Sequence, residues 1–371
     1  MRKGLVISQF AASVILIVGI LAVYQQIEFI KSQKLGFEPE NVVVISAAAL
    51  NEESQSTALL QEFRALPQVT AAAMAQGYPG IDVSTNSFFK DENDEQGKDI
   101  QTNMADAEII DVLNLRLLAG TSLPKIKLKT DTVVEMVLNK KAVDYLGYTL
   151  EEAINKQIHI NGGSTIVGVV DDFNFTSLHS PIGAYAFTNG RTEYKSYALV
   201  RFTGFSKDIL GQLEVSFKDV APESAFDYSF LDQTINRLYE REQRTARVGI
   251  LFCILAIFVA CLGLFGLAAF MAEQRKKEIG VRKVLGASVL NITQMLSQDF
   301  VKLVLIALLI AFPIAFWLTD NWLQGFAYHI EIGWSVFVFA GLVALGIALF
   351  TVSFQAIKAA LANPVKSLRT E

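Results

Sequence analysis

The chain has few of the residues that build enzyme and metal sites. It contains two cysteines and three histidines among 371 residues. Cys253 and Cys261 both lie in one apolar run, which excludes a disulfide framework and indicates small buried side chains. The histidines stand far apart in the sequence, without cysteines or carboxylates at the spacing that metal ligands need. We therefore expect neither a metal nor a cofactor.

Motifs for catalysis and nucleotide binding are also absent. The sequence has no G-x-S-x-G turn and no G-x-x-x-x-G-K-[ST] loop. The acidic run 91–99 resembles a calcium loop, but Gln96 and Thr102 occupy the positions where an EF-hand needs Gly and Glu. A solvated turn is the better interpretation. We therefore expect no catalytic residue and no binding of ATP by a P-loop.

The sequence has instead four long runs that are apolar and almost free of charge. Each approaches or exceeds the ~20 residues that cross ~30 Å of hydrocarbon. A signal peptide would also fit the first run, but no cleavage site follows it, which favours an uncleaved anchor. The formal net charge of −5 does not indicate nucleic-acid binding. Transmembrane helices are predicted in the runs 5–23, 248–272, 303–318 (extended at its start to 300) and 334–354.

The positions of Lys and Arg orient these spans. Cations precede the first span, follow the fourth and crowd residues 273–288, which we call the cationic segment, whereas residues 319–333 contain none. The positive-inside rule therefore places both termini and the cationic segment in the cytoplasm. The long segment between the first two spans is then extracytoplasmic. Its arginines close to the second span are interpreted as a solvated helix surface.

This extracytoplasmic segment alternates strand and helix patterns. The alternation is typical of an α+β domain with split β-α-β character, and residues 116–190 are predicted to form an inserted subdomain. The first span is predicted to continue as a helix to Lys34, with Gly36 as its stop. Asp232 is predicted to cap a helix that runs into the second span. The domain would thus stand on two helical stalks, which suits the transmission of motion.

Small residues recur at helical spacing in two spans. Such faces let helices approach closely. Packing within one four-helix unit and a subunit interface both explain them, and the two alternatives stay open. Pro313 should kink the third span, because proline removes a backbone hydrogen bond. The small residues are Ala256, Ala260, Gly263 and Gly266 in the second span and Ala340, Ala344 and Ala348 in the fourth.

The cationic segment has a pattern beyond its charge. Gly280 and Gly286 bracket a predicted short helix, residues 281–285, with an apolar side and two cations, and Glu278 precedes Arg282 by four residues. Ser288 is predicted to cap the helix that leads into the third span. The five cations of the cationic segment would alone suit a loop that binds anionic lipid. Because that alternative leaves the two glycines unexplained, we favour the docking of a protein partner.

Three stretches resemble those of a known family. EIGVRKVLGAS, residues 278–288, is similar to the cytoplasmic coupling segment of FtsX/MacB-type ABC transporter permeases. ANPVKSLR, residues 362–369, resembles their C-terminal signature. VGVVDDFNFTSLHSP, residues 167–181, resembles the MacB-like periplasmic core domain of Bacteroidetes-type members. The family also has the same order of elements, which is one span, then a large domain, then three further spans. The resemblance therefore covers essentially the whole chain.

The resemblance implies a non-catalytic permease subunit in the bacterial inner membrane. A separate cytoplasmic ATPase would dock on the cationic segment and move the stalks and the outer domain. This mechanotransmission would export or extract a substrate that the sequence does not identify. The outer domain would consist of porter-like and sabre-like subdomains. The coupling residues implied are Glu278, Gly280, Arg282, Lys283, Gly286, Ala287 and Ser288.

The resemblance also implies further partners. The chain is similar to the second unit of longer tandem permeases, so a second permease unit is expected, either as a homodimer or as the other tandem half. The lipid bilayer and a periplasmic or outer-membrane protein complete the expected partners, without nucleic acid. The alternative function is a membrane-anchored sensor or cell-envelope regulatory scaffold that the same ATPase drives.

The predicted fold is therefore a membrane protein with four transmembrane α-helices and a large α+β extracytoplasmic domain on helical stalks. Its predicted boundaries are residues 1–23 for the first span with its cytoplasmic N-terminus, 24–247 for the extracytoplasmic domain, 248–272 for the second span, 273–299 for the cytoplasmic coupling segment, 300–319 for the third span, 320–333 for the outer loop, 334–356 for the fourth span and 357–371 for the cytoplasmic tail.

Overall fold

The computed structural model describes residues 2–50, 52–81, 83–89, 97–124, 134–158, 163–176, 180–189, 195–204 and 207–361. The elements, in chain order, are α1 (Arg2–Ser32), β1 (Val42–Ser46), α2 (Glu53–Ala65), β2 (Val69–Ala75), β3 (Ser84–Phe88), β4 (Lys98–Met104), α3 (Ile109–Leu113), β5 (Leu117–Gly120), β6 (Val134–Asn139), α4 (Lys140–Leu146), α5 (Leu150–Ala153), β7 (Gln157–Ile158), β8 (Ser164–Val170), β9 (Tyr185–Thr188), β10 (Tyr197–Phe202), α6 (Lys207–Val220), β11 (Tyr228–Phe230), α7 (Leu231–Arg237), α8 (Glu240–Gln274), α9 (Lys276–Val284), α10 (Val289–Leu323) and α11 (Trp334–Leu361).

The chain divides into two compact units. Residues 1–32 and 241–371 form one, which we call the helical unit, and residues 33–240 form the other, the mixed unit. Within the described residues, 4 helices of the helical unit are long and apolar enough to cross a membrane. The four predicted transmembrane helices are thereby confirmed. Their apolar stretches are Gly4–Ser32, Gln243–Gln274, Val289–Leu323 and Trp334–Lys358.

Alanine stripes hold α10 and α11 together in the helical unit. Ala340, Ala344 and Ala348 of α11 are at most 4% exposed and belong to one buried cluster with the alanines of α10. Small side chains let two helix backbones approach closely, which is the main source of contact where the surrounding lipid is as apolar as the core. The small-residue face of α11 therefore packs inside this unit. The alanines of α10 in this cluster are Ala307, Ala311 and Ala315.

The small residues of α8 do not share one environment. Ala260 is buried, Ala256 and Gly263 are half-buried, and Gly266 is exposed. A Cβ atom at Gly263 would meet the side-chain oxygen of Gln9 on α1 at 2.6 Å, so this glycine makes room for an amide. Only part of the predicted face of α8 thus packs against other helices of the unit.

Pro313 lies inside α10, which continues on both sides of it from Val289 to Leu323. The ring of Pro313 removes one backbone donor from this helix. The predicted kink stays a prediction.

Gln26 closes the end of the helical unit at which α10 and α11 are joined. Its side chain is fully buried, and its Nε2 donates to the carbonyl of Tyr328 at 2.8 Å. In return, the backbone N–H of Ile330 donates to its Oε1 at 2.9 Å. Both polar atoms of the buried amide are satisfied by the backbone of the α10–α11 loop, which avoids the penalty of an unpaired group. The loop is thereby fixed to α1.

The mixed unit contains two sheets, and the first has split β-α-β topology. Its strand order is β11-β1-β10-β2, with antiparallel neighbours throughout. Helices α2 and α6 cover it through one buried cluster, in which Phe63 of α2 and Phe217 of α6 are fully buried. Each helix follows one strand and precedes another, the β-α-β repeat that the sequence predicts. The α+β class of this domain is confirmed.

The second sheet is inserted between β2 and β10. Its 7 strands have the order β3-β4-β9-β6-β8-β5, with β7 against β8. It includes β3 and β4, which pair antiparallel, and therefore begins at Ser84, earlier than the start at 116 that the sequence predicts. The extension arises because β4 pairs in parallel with β9, from Gln101 with Tyr185 to Met104 with Thr188. The run Asn161-Gly162-Gly163 predicts a turn between β7 and β8, but Asn161 and Gly162 lie outside the described residues.

The chain between β11 and α8 differs from its prediction. Asp232 is not a helix cap, because β11 runs to Phe230, which is itself the N-cap of α7. The Asp232 carboxylate instead accepts from the adjacent backbone N–H of Gln233 at 2.7 Å. The helix also ends at Arg237, with Leu238 as its C-cap, before α8 begins at Glu240. The predicted continuous helix into the second span is therefore two helices.

Gly36 holds the residues that follow α1 against the mixed unit. Its φ of +82° lies in the left-handed region, and a Cβ atom there would collide with the carbonyl oxygen of Asp172 and lie 2.7 Å from the Cα of Phe173. Next to it, the backbone N–H of Asn174 donates to the carbonyl of Leu35 at 2.8 Å. Only glycine meets both the dihedral and the steric requirement.

Substitution of this glycine should loosen that attachment. We expect Gly36→Ala to lower the stability of the mixed unit by at least about 2 kcal/mol, because a strained φ is combined with a backbone collision. Calorimetry of the full chain in detergent, with hydrogen exchange of the Asn174 amide, measures the effect. The matched control is Gly183→Ala, where a Cβ atom meets nothing within 4 Å. Equal stability of the two variants would contradict the prediction.

Candidate functional site

The cationic segment forms a helix that lies on the ends of two others. Helix α9 buries Ile279, which is 5% exposed, in a cluster with Ile292 and Leu296 of α10 and Ala356 of α11. Gly280 is also buried and lies in the middle of α9. The prediction that Gly280 precedes the helix is therefore wrong. The helix begins earlier because Arg275, its N-cap, directly follows α8.

Gly286 ends α9 by reversing the chain. Its φ is +91°, and its N–H bonds to the carbonyl of Lys283 at 3.1 Å. The N–H of Ala287 bonds to the carbonyl of Arg282 at 2.9 Å. This pair of bonds is the Schellman arrangement, in which a left-handed glycine satisfies the last carbonyls of a helix. The chain then turns directly into Ser288, whose side chain accepts from the N–H of Asn291 at 3.2 Å, so its predicted capping role is confirmed.

Three ion pairs among the described residues involve the cationic segment, one of them between Lys276 and Glu273 at 2.8 Å. Arg275 Nη2 lies 2.9 Å from Asp299 Oδ2 of α10, with both side chains about one-third exposed, at 35% and 31%. Arg282 and Glu278 are paired at 2.9 Å within α9, as their spacing of four residues predicts. Pairs this exposed contribute about 0.2–1 kcal/mol each. The Arg275–Asp299 pair joins the start of α9 to α10, whereas the Arg282–Glu278 pair lies within α9, and the burial of Ile279 provides the larger stabilisation.

The opposite face of α9 is apolar and uncovered. Val281, Val284 and Leu285 are 49%, 67% and 80% exposed, and Leu290 at the start of α10 is 75% exposed. Arg282 is also exposed, but its guanidinium is paired with Glu278 and contacts the sulfur of Met295 on α10. Exposed apolar side chains of this size are typical of a contact surface. We call Val281, Val284 and Leu285 the apolar face; Leu290 belongs instead to the lining of a groove on α10.

The structure brings together all of the predicted coupling residues, but it gives them different surroundings. Glu278, Arg282, Gly286 and Ser288 are exposed, Gly280 is buried, and Lys283 and Ala287 are half-buried. The predicted small residues of α8 and α11 and Pro313 are not part of this site. The apolar side that the sequence predicts for this short helix consists of Val281, Val284 and Leu285, which are exposed and lie on the side of α9 away from Ile279. The Arg275–Asp299 pair had no local signal.

Within the part of the chain that the structure describes, no group of three or more His, Cys, Asp or Glu side chains lies close enough together to hold a metal ion. Both cysteines in α8 are free thiols.

Comparison with protein families identifies the architecture. A family model described as MacB-like periplasmic core domain matches residues 4–226, and one described as FtsX-like permease C-terminal matches residues 250–364. No curated protein sequence matches the chain. Since the first model covers more than half of the sequence, the chain belongs to the MacB/FtsX-type family of ABC-transporter permeases, which are multi-pass membrane proteins. The predicted resemblance is confirmed.

Three of the solved structures that resemble this chain are isolated domains of other proteins. The periplasmic region of MacB from Actinobacillus actinomycetemcomitans is 14% identical, over 55% of this chain and 94% of that chain, with a TM-score of 0.38. The extracellular domain of the transporter YknZ from Gram-positive bacteria is 13% identical, over 51% and 98%, with a TM-score of 0.33. A domain of a permease protein from Porphyromonas gingivalis, described as putative in its name, is 16% identical, over 52% and 91%, with a TM-score of 0.32. These TM-scores are too low to carry an argument, so the assignment rests on the family models.

The cap at Ser288 generates a local prediction. Ser288→Ala should weaken the first turn of α10 by about 1 kcal/mol, which corresponds to roughly fivefold faster hydrogen exchange of the Asn291 amide. Ser288→Asp is the matched control, because an aspartate accepts the same bond and should leave the exchange rate unchanged. Exchange in the alanine variant at the wild-type rate would show that the cap does not hold this turn.

Proposed function

We propose that this permease subunit is driven by an ATPase on a separate cytoplasmic chain, which binds the apolar face of α9. The observation that carries the proposal is the two-sided character of α9. One side buries Ile279 against α10 and α11, whereas the other exposes Val284 and Leu285. A helix fixed on one side and apolar on the other is suited to receive a partner without changing its own position.

The proposed orientation follows from charge. Lys and Arg are concentrated before α1, around α9 and after α11, while residues 319–333 contain none. Under the positive-inside rule, the α9 end of the helical unit and both termini face the cytoplasm. The mixed unit, which follows α1 in the sequence and precedes α8, is then extracytoplasmic. An ATPase in the cytoplasm would meet α9 first.

Force would pass from α9 into the spans through its two attachments. Ile279 packs on α10 and α11, and Arg275, at the end of α8, is paired with Asp299 of α10. A displacement of α9 would therefore pull on three spans together. Helices α1 and α8 lead by chain continuity into the mixed unit, and the Gly36 contact attaches the residues after α1 to it. This is the basis for proposing mechanotransmission, with export or extraction of a substrate as its outcome.

The subunit itself would carry no catalytic activity. Its described residues lack a metal cluster, and its sequence lacks a phosphate-binding loop. ATP hydrolysis would belong to the partner chain. A second copy of the permease, or the other half of a tandem protein, would complete the transporter.

The test places a charge on the apolar face. Leu285→Asp should reduce the ATP hydrolysis that co-purifies with the detergent-solubilised protein at least about tenfold, because a carboxylate in an apolar contact is desolvated without a partner. Val215→Asp is the matched control, since Val215 is also exposed, at 63%, but lies on α6 of the mixed unit. The control should keep the wild-type level of co-purified activity.

Two results would contradict the proposal. One is undiminished co-purified ATP hydrolysis in Leu285→Asp. The other is equal loss in both variants, which would point to general damage by the added charge. Melting temperatures of the two variants in detergent distinguish unfolding from loss of the partner.

A further inference from the structure

A groove of about 540 Å³ lies between α10 and α11 and is not used by the proposed docking of an ATPase. One stripe of α10 lines it, with positions three or four residues apart, and α11 provides the opposite wall. The apolar part of the wall includes Val301 and Leu349. The polar lining residues are Thr293, Gln294, Ser297, Gln298, Lys302 and Ser353.

Two hydroxyls in this groove are buried without a hydrogen bond. Ser297 is 8% exposed, and its Oγ has no partner among the described residues; the same holds for Oγ1 of Thr293. Serine and threonine in a helix usually donate to the carbonyl four residues earlier. Thr319 does so to Ala315 at 2.7 Å, and Thr351 does so to Ile347 at 2.8 Å. The two groove hydroxyls leave this bond unmade, so each lacks a hydrogen-bond partner within the described protein.

The groove offers donors and one positive charge. Lys302 is exposed, and the amides of Gln294 and Gln298 lie on the same stripe of α10. Of the described residues that line the groove, none is acidic. Asp299, the nearest carboxylate along α10, is engaged by Arg275 at 2.9 Å. Ammonium, amide and hydroxyl donors without an acceptor charge favour an anion with several oxygen atoms.

The position of the groove along α10 selects the kind of anion. The first turns of α10 are polar, and the long apolar run of this span begins at Phe300. Lys302 therefore lies at the boundary where a lysine reaches from hydrocarbon to the headgroup region. The apolar walls at Val301 and Leu349 continue from the polar end into the span. A ligand with an anionic head and an acyl chain matches both parts.

We propose that this groove binds the phosphate of an anionic phospholipid. The ammonium of Lys302 and the hydroxyls of Ser297 and Thr293 contact the phosphate, and the acyl chain lies against Val301 and Leu349. Basic pockets between spans are known to hold anionic headgroups in this manner. The bound lipid lies on the same turns of α10 that carry Ile292 and Leu296, the residues that seat α9.

The test uses the full chain in detergent with no ATPase present, so its outcome does not depend on the proposed docking. Phosphatidylglycerol and phosphatidylcholine are added separately, and bound lipid is counted by native mass spectrometry. We expect wild type to retain phosphatidylglycerol in preference. Lys302→Gln should weaken its binding by about tenfold or more, because a charge-assisted bond is lost. Lys276→Gln removes the same charge from α9, outside the groove, and should bind as wild type.

Ser297→Ala separates a ligand site from a structural role. Because its hydroxyl has no partner in the protein, the variant should melt at or above the wild-type temperature without lipid, yet gain less stability from phosphatidylglycerol. Equal retention of both lipids would overturn the proposal. So would equal weakening in Lys276→Gln, or displacement of the lipid by equimolar inorganic phosphate. A variant that changes the oligomeric state but not lipid binding would assign the groove to a second copy of the chain.

Discussion

The burial of Ile279 is the contact on which the proposed mechanism depends. Full burial of an isoleucine side chain contributes about 1.5–3 kcal/mol, more than any one exposed ion pair of α9. The contact joins α9 to both α10 and α11, and Gly286 and Ser288 turn the chain so that α10 can return beside it. With Ile279 buried against α10 and α11, the apolar face of α9 points away from these helices. Without this burial, α9 would be an exposed cationic loop with no fixed direction.

The polar side chains in the long helices of the helical unit differ in whether they have hydrogen-bond partners within the protein. Gln26, Thr319 and Thr351 have their hydrogen bonds within the protein, which is what a span in hydrocarbon requires. Thr293 and Ser297 do not, and both lie near the start of α10. The end that carries α9 thus combines the apolar face, where we propose that an ATPase binds, with a polar groove. At the other end, Gln26 is hydrogen-bonded to the backbone of the α10–α11 loop.

Much of the fold could be predicted from the sequence, because its signals are local. Long apolar runs predict the transmembrane spans, and the alternation of strand and helix patterns predicts the β-α-β repeat of the first sheet. The second sheet could not be delimited, since the parallel pairing of β4 with β9 joins residues far apart in sequence. The prediction that Asp232 caps a helix is wrong because β11 pairs with β1 up to Phe230, and the helix begins directly after it. This strand pairing outweighs the preference of aspartate for a cap position.

The candidate site was predictable in part. Charge and glycines marked the cationic segment, and the cap at Ser288 follows from its residue type. Gly280 was assigned to a helix end because glycine is a frequent terminator, whereas here it is buried within α9 beside Ile279. The Arg275–Asp299 pair and the orphaned hydroxyl of Ser297 depend on tertiary contacts, so no sequence pattern could reveal them.

Site-specific photo-crosslinking from position 285 tests the central claim most directly. A photoreactive amino acid in place of Leu285 should form a covalent adduct, in intact cells, with a chain that hydrolyses ATP. The same probe in place of Val215 should not capture that chain. Absence of the adduct from position 285, or its equal formation from both positions, would contradict the claim that an ATPase binds the apolar face of α9.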